Sequence, residues 1–398
     1  MENRKEFTFP SADGRTAIHA VEWHPAGEPA GILQIARGVA EYALRYEPFA
    51  RFLNAHGFLV VANDHLGHGE SVAKGAPRLY FGEKGSWQHV VDDMYTLRCR
   101  TGEAYPELPY FIMGHSMGSF LTRTYLIRYP GTVKGAILMG TGQNPDAMLV
   151  GGKALASVLA RKVGRENASD VVEKLAFGTY NKAFAPNRTG YDWLSVSEEN
   201  VDAYIADPLC GGMASTGLFL ELLDGMAFIK KPANLRHMNM ATPVLFISGD
   251  RDPVGGMGKG VRAAYDSFRR AGVRDAELKL YPGLRHEILN EDCRAQVYCG
   301  SGSSGITVKR KARAQPTLFS IPSGISAAGG SGRADQCRPS AAARRCSTAR
   351  RCRGRAARCS SRWTECQRRE PPARAARGAR RAHRARPTRA RTADRYGR

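Results

Sequence analysis

Short runs of consecutive apolar residues, separated by stretches of helical spacing, dominate the first three quarters of the chain. Runs of strand character fall near residues 6–9, 16–23, 31–36, 58–62, 109–113, 134–139, 243–248 and 276–281, and helical patterns alternate with the later ones. Strands that are apolar at every position, rather than at every second one, are buried on both faces. Their alternation with helices indicates a parallel sheet covered on both sides. The pattern therefore predicts an α/β fold with a mostly parallel, eight-stranded sheet flanked by helices.

One interval breaks the alternation. Between the strand ending near Gly140 and the one starting near Thr242 lie about a hundred residues, too many for an ordinary crossover. This predicts an inserted helical cap over residues 145–238, dividing the core into 1–144 and 239–298. The insertion carries helical runs at Ala154–Val163 and Ser169–Phe177, a mixed aromatic segment from Phe184 to Trp193, and the apolar run Gly217–Phe228. A lid of this kind supplies an apolar pocket and excludes water. Leu218, Phe219, Leu220, Leu222, Leu223, Met226 and Phe228 are candidates for lining an acyl channel, or equally for packing the cap onto the core.

The chemistry enters at Gly114-His115-Ser116-Met117-Gly118, which follows the apolar run Tyr110–Met113 and precedes the helical run Ser119–Arg128. Where glycine is abundant the pattern G-x-S-x-G is weak by itself, but between a strand and a helix it describes a nucleophilic serine on a tight turn. Side chains two positions either side of Ser116 would collide with the neighbouring elements. A serine nucleophile needs a base and an acid that orients the base. The strand run ending at Ser248 leads into Gly249-Asp250-Arg251-Asp252, and the strand run ending at Tyr281 leads into Pro282-Gly283-Leu284-Arg285-His286. We assign His286 as base and Asp252 as acid, because Asp250 is still on the strand's last step, where aspartate commonly caps a turn. The order Ser116, Asp252, His286 is that of the α/β-hydrolases. The oxyanion hole then combines the backbone N–H of Met117 with one from the loop Arg37-Gly38-Val39-Ala40 after an early strand, with Val39 as the second donor.

With Asn63-Asp64-His65-Leu66-Gly67-His68-Gly69-Glu70-Ser71, Gly-Asp-Arg-Asp-Pro-Val from 249 and Arg285-His286-Glu287-Ile288-Leu289-Asn290-Glu291, these motifs resemble the monoacylglycerol lipase and lysophospholipase branch of the α/β-hydrolases, also described as serine-aminopeptidase-like. The resemblance runs from about residue 5 to about 298. It implies hydrolysis of carboxylic esters of lipids through an acyl-enzyme, with the triad and hole named above, a small lipid or ester substrate, and no cofactor. In the family the loop after the early strand usually begins His-Gly; here it begins Arg37-Gly38, a departure that could shift the oxyanion loop. Aminopeptidase-like or general carboxylesterase chemistry is the alternative, since the same triad serves amides. Glu198 and Glu199 could then hold a substrate ammonium, although adjacent acids at a helix start commonly face solvent. The two histidines beside Asp64 do not make a convincing metal site, because the glycines at 67 and 69 suggest a tight loop that Asp64 holds by hydrogen bonds.

Composition changes the picture at residue 299. Residues 299–398 hold 26 Lys plus Arg against 4 Asp plus Glu, and the remaining 33 basic and 33 acidic residues balance, so the net charge of +22 sits in this tail. The tail is rich in Arg, Ala, Gly, Ser and Pro without apolar period, which predicts disorder. An arginine-rich arm could bind nucleic acid through phosphate neutralisation. We favour a reading-frame shift, because a closing helix begins at Asn290 and breaks after Tyr298 into Cys-Gly-Ser-Gly-Ser-Ser-Gly, and because GC-rich sequence read out of frame yields this composition. A shortened closing helix would weaken the anchor of His286, so an inactive hydrolase-fold protein is a further alternative. Five of nine cysteines, at 337, 346, 352, 359 and 366, lie in the tail without C-x-x-C spacing, Cys299 sits at the break itself, and Cys99, Cys210 and Cys293 are scattered. Together with an N-terminus lacking an apolar signal region, they predict a cytoplasmic protein with reduced thiols, contacting membranes at most transiently through the cap.

Overall fold

The computed structural model describes residues 3–299; the tail readings from Gly300 onward, including the nucleic-acid arm and the frame shift, lie outside the described residues. The elements run β1 (Arg4–Pro10), β2 (Ala17–Trp23), β3 (Gly31–Ala36), α1 (Glu47–Ala55), β4 (Phe58–Asn63), α2 (Ser86–Ala104), β5 (Tyr110–His115), α3 (Met117–Arg128) and β6 (Gly135–Met139). Then follow α4 (Asp146–Val163), α5 (Asp170–Ala176), α6 (Glu198–Ala206), α7 (Thr216–Lys230), α8 (Pro232–Leu235), β7 (Val244–Gly249), α9 (Lys259–Ala271), β8 (Ala276–Tyr281) and α10 (Arg294–Cys299).

The strands form one eight-stranded sheet in the order β1-β2-β4-β3-β5-β6-β7-β8. β1, β2 and β4 pair antiparallel, and every pair from β4 to β8 is parallel. β3, β4, β5, β6 and β7 are buried at every position, as their uninterrupted apolar sequences require. One sheet face carries the core of Ile32, Leu59, Ile112, Leu138 and Phe246 with Val90, Leu121 and Tyr125 from α2 and α3. The other carries Leu33, Val60, Met113, Ile137 and Ile247 with Phe49 and Leu53 of α1 and Val297 and Tyr298 of α10.

The stretch between β6 and β7 holds five helices, of which α7 packs against both α3 and α4. Ser215 starts α7 by accepting the Leu218 N–H at 3.1 Å, satisfying one of the donors left open at a helix N-terminus. The closing helix begins at Arg294 rather than Asn290, because residues 287–294 form turns in which Glu287 and Glu291 carbonyls accept the Asn290 and Arg294 N–H groups. Within its described residues α10 is anchored by Tyr298, whose ring lies 4.9 Å from Phe49 and 5.0 Å from Phe52 and whose hydroxyl donates to the Leu289 carbonyl.

Candidate active site

Ser116 stands between β5 and α3 with φ of 53°, a conformation L-residues rarely adopt, held by its own N–H to the Met139 carbonyl at 3.0 Å. The flanking glycines are sterically required. A Cβ on Gly114 would strike the Gly118 carbonyl and Thr122 Oγ1, and one on Gly118 would strike the carbonyls of Ala36 and Arg37. The first contact is the turn closing on itself; the second presses the start of α3 against the end of β3.

His286, on the loop after β8, donates from Nδ1 to Asp252 Oδ2 at 2.9 Å. Asp252 also accepts from Ser248 Oγ and from the Val254 N–H, and is fully buried. Burial opposes its charge, but His286, the Val254 N–H and His115 outweigh that and hold the carboxyl below its ordinary range. Asp250 instead accepts the Gly283 N–H at 2.8 Å, stapling one loop to the next. Ser116 and His286 line one cavity. Met117 is the first residue of α3, so its N–H has no acceptor within the helix. Val39 borders the same cavity from the loop after β3, where a Cβ on Gly38 would lie 3.2 Å from Ser116 Cβ.

Two cavities open on Ser116 and Val39. One, of about 320 Å³, is walled by apolar side chains that include Phe120, Leu149, Leu175, Phe219, Leu222 and Met226. Leu223 lines it as well. The expectation for Leu218 needs correction: it is fully buried in the core and is not a wall residue, because it lies off the face that 219, 222, 223 and 226 share at helical spacing. Leu220 packs on Ala156 and Ala160, and Phe228 under the Arg128 guanidinium.

The second cavity, of about 290 Å³, is mixed: Tyr191, Trp193 and Tyr204 line it beside Glu41, Glu173 and Glu287. Two of these carboxylates are compensated. Arg45 forks onto both oxygens of Glu287 at 2.8 and 3.0 Å and reaches Glu41 at 3.2 Å, and Asn200 also donates to Glu287. Tyr46 donates to Glu41 and lies 2.9 Å from His115 Nδ1. Glu173 differs: its Oε2 is buried with no hydrogen-bond partner, and burial pushes its carboxyl up to about 7. Sequence reasoning missed this cavity; His115 and Glu287 flank assigned residues and were the available pointer. Glu198, considered for an ammonium, is on the outside of α6 opposite Arg188, and neither it nor Glu199 lines either of these two cavities.

The loop from the insertion holds the histidine loop in place. Arg285 donates to the carbonyls of Asp192 and Ser195, Glu287 N–H donates to the Leu194 carbonyl, and buried Glu291 accepts from Ser195 Oγ and the N–H groups of Val196, Ser197 and Arg285. The Trp193 ring lies 5.2 Å from His286. Asp64 accepts from the Ala43 and Glu70 N–H groups and pairs with His19, tying its loop as expected.

Fold and site together define an α/β-hydrolase. The sequence profile of the serine aminopeptidase S33 family matches residues 27–293, and the chain belongs to that family. It is 32% identical over 293 residues to a monoacylglycerol lipase of Mycolicibacterium smegmatis, covering 72% of this chain and 92% of that one. A human monoglyceride lipase is 27% identical over 289 residues, covering 71% and 83%. Among solved structures, a thermostable carboxyl esterase from Bacillus coagulans in complex with glycerol superposes with a TM-score of 0.70 at 29% identity, covering 75% of this chain and 97% of that one. The chain is accordingly an ester hydrolase.

Proposed function

We propose that the protein hydrolyses monoacylglycerols through an acyl-enzyme on Ser116. The observation that carries this reading is the pair of cavities of opposite character meeting at one serine, as an ester of a long acyl chain and a small polar alcohol requires. Named lipase relatives support it. The acyl chain lies among Phe219, Leu222, Leu223 and Met226; the alcohol lies against Glu173 and the aromatic walls. His286 takes the Ser116 proton as the hydroxyl attacks the ester carbonyl, Asp252 holds the imidazole and stabilises its charged form, and the N–H groups of Val39 and Met117 receive the oxyanion. His286 then gives the proton to the departing alcohol, and water attacks the acyl-enzyme with the same residue as base.

The buried Glu173 oxygen that lacks a partner favours a polyol hydroxyl, which can donate to it, over the phosphodiester of a lysophospholipid, which cannot. Steady-state kinetics on monoacylglycerol, lysophospholipid and an amino-acid p-nitroanilide test this. The reading predicts the highest kcat/KM for monoacylglycerol, and Glu173→Ala should raise its KM about three- to tenfold, the weight of one hydrogen bond, while leaving p-nitrophenyl butyrate unaffected. Preference for the anilide would favour the peptidase alternative.

A further inference from the structure

Arg37, at the start of the oxyanion loop, is fully buried. Its Nη1 donates to the Gly38 carbonyl at 2.8 Å and its Nη2 to the His65 carbonyl at 3.3 Å, while Nε lies 3.6 Å from Asp64 Oδ1. On the other side of Gly38, its N–H donates to Glu41 Oε1. Gly38 is thus gripped through its N–H by an anion and through its carbonyl by a cation. Burial disfavours the guanidinium charge, and Asp64 and Glu41 oppose that loss.

We propose that Arg37 is a positioning residue of the oxyanion hole, fixing the Gly38 carbonyl so that the Val39 N–H on the opposite edge of the same peptide faces the ester oxygen at Ser116. The inference rests on the reading of Val39 as a donor. A trans peptide is planar and directs its C=O and N–H to opposite sides, so a bond that pins one aims the other. The loop's closeness to Ser116 leaves little room for the peptide to turn. The same bond polarises the peptide, which strengthens its N–H as a donor, and the buried positive charge favours the oxyanion as it develops.

The test compares Arg37→Met and Arg37→Lys with the full-length wild-type protein, using p-nitrophenyl butyrate kinetics and inhibition by an alkylboronic acid, whose tetrahedral adduct on a serine places an oxygen in the hole. Because the hole acts on the transition state, Arg37→Met should lower kcat about 10- to 100-fold with KM within about twofold, and weaken the boronate by a similar factor. Arg37→Lys keeps a charge beside Asp64 and should give an intermediate kcat with the same unchanged KM. If Arg37→Met fails to fold by circular dichroism, the lysine variant decides the matter by that split. A folded variant of either kind with wild-type kcat, or a loss confined to KM with boronate affinity intact, overturns the proposal. Turnover by wild type that disappears in Ser116→Ala checks the underlying reading separately; a folded, inactive wild type overturns both.

Discussion

Two aspartates two positions apart have opposite fates at the end of β7. Asp252 receives His286, whereas Asp250 receives the Gly283 N–H. Asp252→Asn should lower kcat about 10⁴-fold, because an amide at that position favours the wrong imidazole tautomer. Asp250→Asn should leave kcat within about twofold and reduce stability by no more than about 1 kcal/mol, the worth of one exposed turn bond. Kinetics and thermal melts on the pair check this; equal losses of kcat would contradict the assignment. The pairing of His286 with Asp252, and the meeting of Ser116 and His286 at one cavity, were legible in the sequence because each residue follows a recognisable strand run. Arg37 was legible as part of the oxyanion loop but its bonds to His65 and Asp64 were not, and Glu173 was not legible at all, because what matters in each is a partner, or a missing partner, supplied by residues distant in sequence.

At the scale of elements, all eight strands were readable to within two residues at either end, the central ones from consecutive apolar runs and β8 from its alternation. Helices fared less evenly. α4 begins at Asp146, well before the expected Ala154, since its first two turns include outward-facing Met148 and Val150, which blur the amphipathic pattern. α2 escaped notice because its buried positions include Ser86, Asp93 and Thr101. Asp93 has a stability role that its burial makes testable: it accepts from Ser11 Oγ at 2.8 Å and the Ala12 N–H at 2.7 Å, docking the β1–β2 turn on α2. Burial raises its pKa from 3.8 to about 7 despite these bonds. For a group raised on folding, the stabilising contribution is complete below the unfolded pKa and disappears as pH rises through the folded one. Asp93→Asn should therefore stabilise the protein by about 1–3 kcal/mol at pH 8 and make little difference near pH 4. Thermal melts at the two pH values check the sign; a loss at pH 8 would contradict it.

For the whole molecule, the sheet brings together loops separated by up to 250 residues, and the insertion then fixes the histidine loop from above through Arg285, Glu287 and Glu291. That linkage was not visible in the sequence, where a long interval announced an insertion but not what it would hold. It also bears on what the closing helix contributes. His286 is secured by the Asp192–Ser197 segment as well as by α10, so the site does not depend on the closing helix alone. The most direct test of the account is treatment of the full-length protein with an alkyl fluorophosphonate, followed by peptide mass mapping and turnover on p-nitrophenyl butyrate. The account predicts one adduct, on the peptide carrying Ser116, with activity lost in proportion to labelling. A folded protein that is labelled elsewhere, or that loses no activity when Ser116 is labelled, would contradict it.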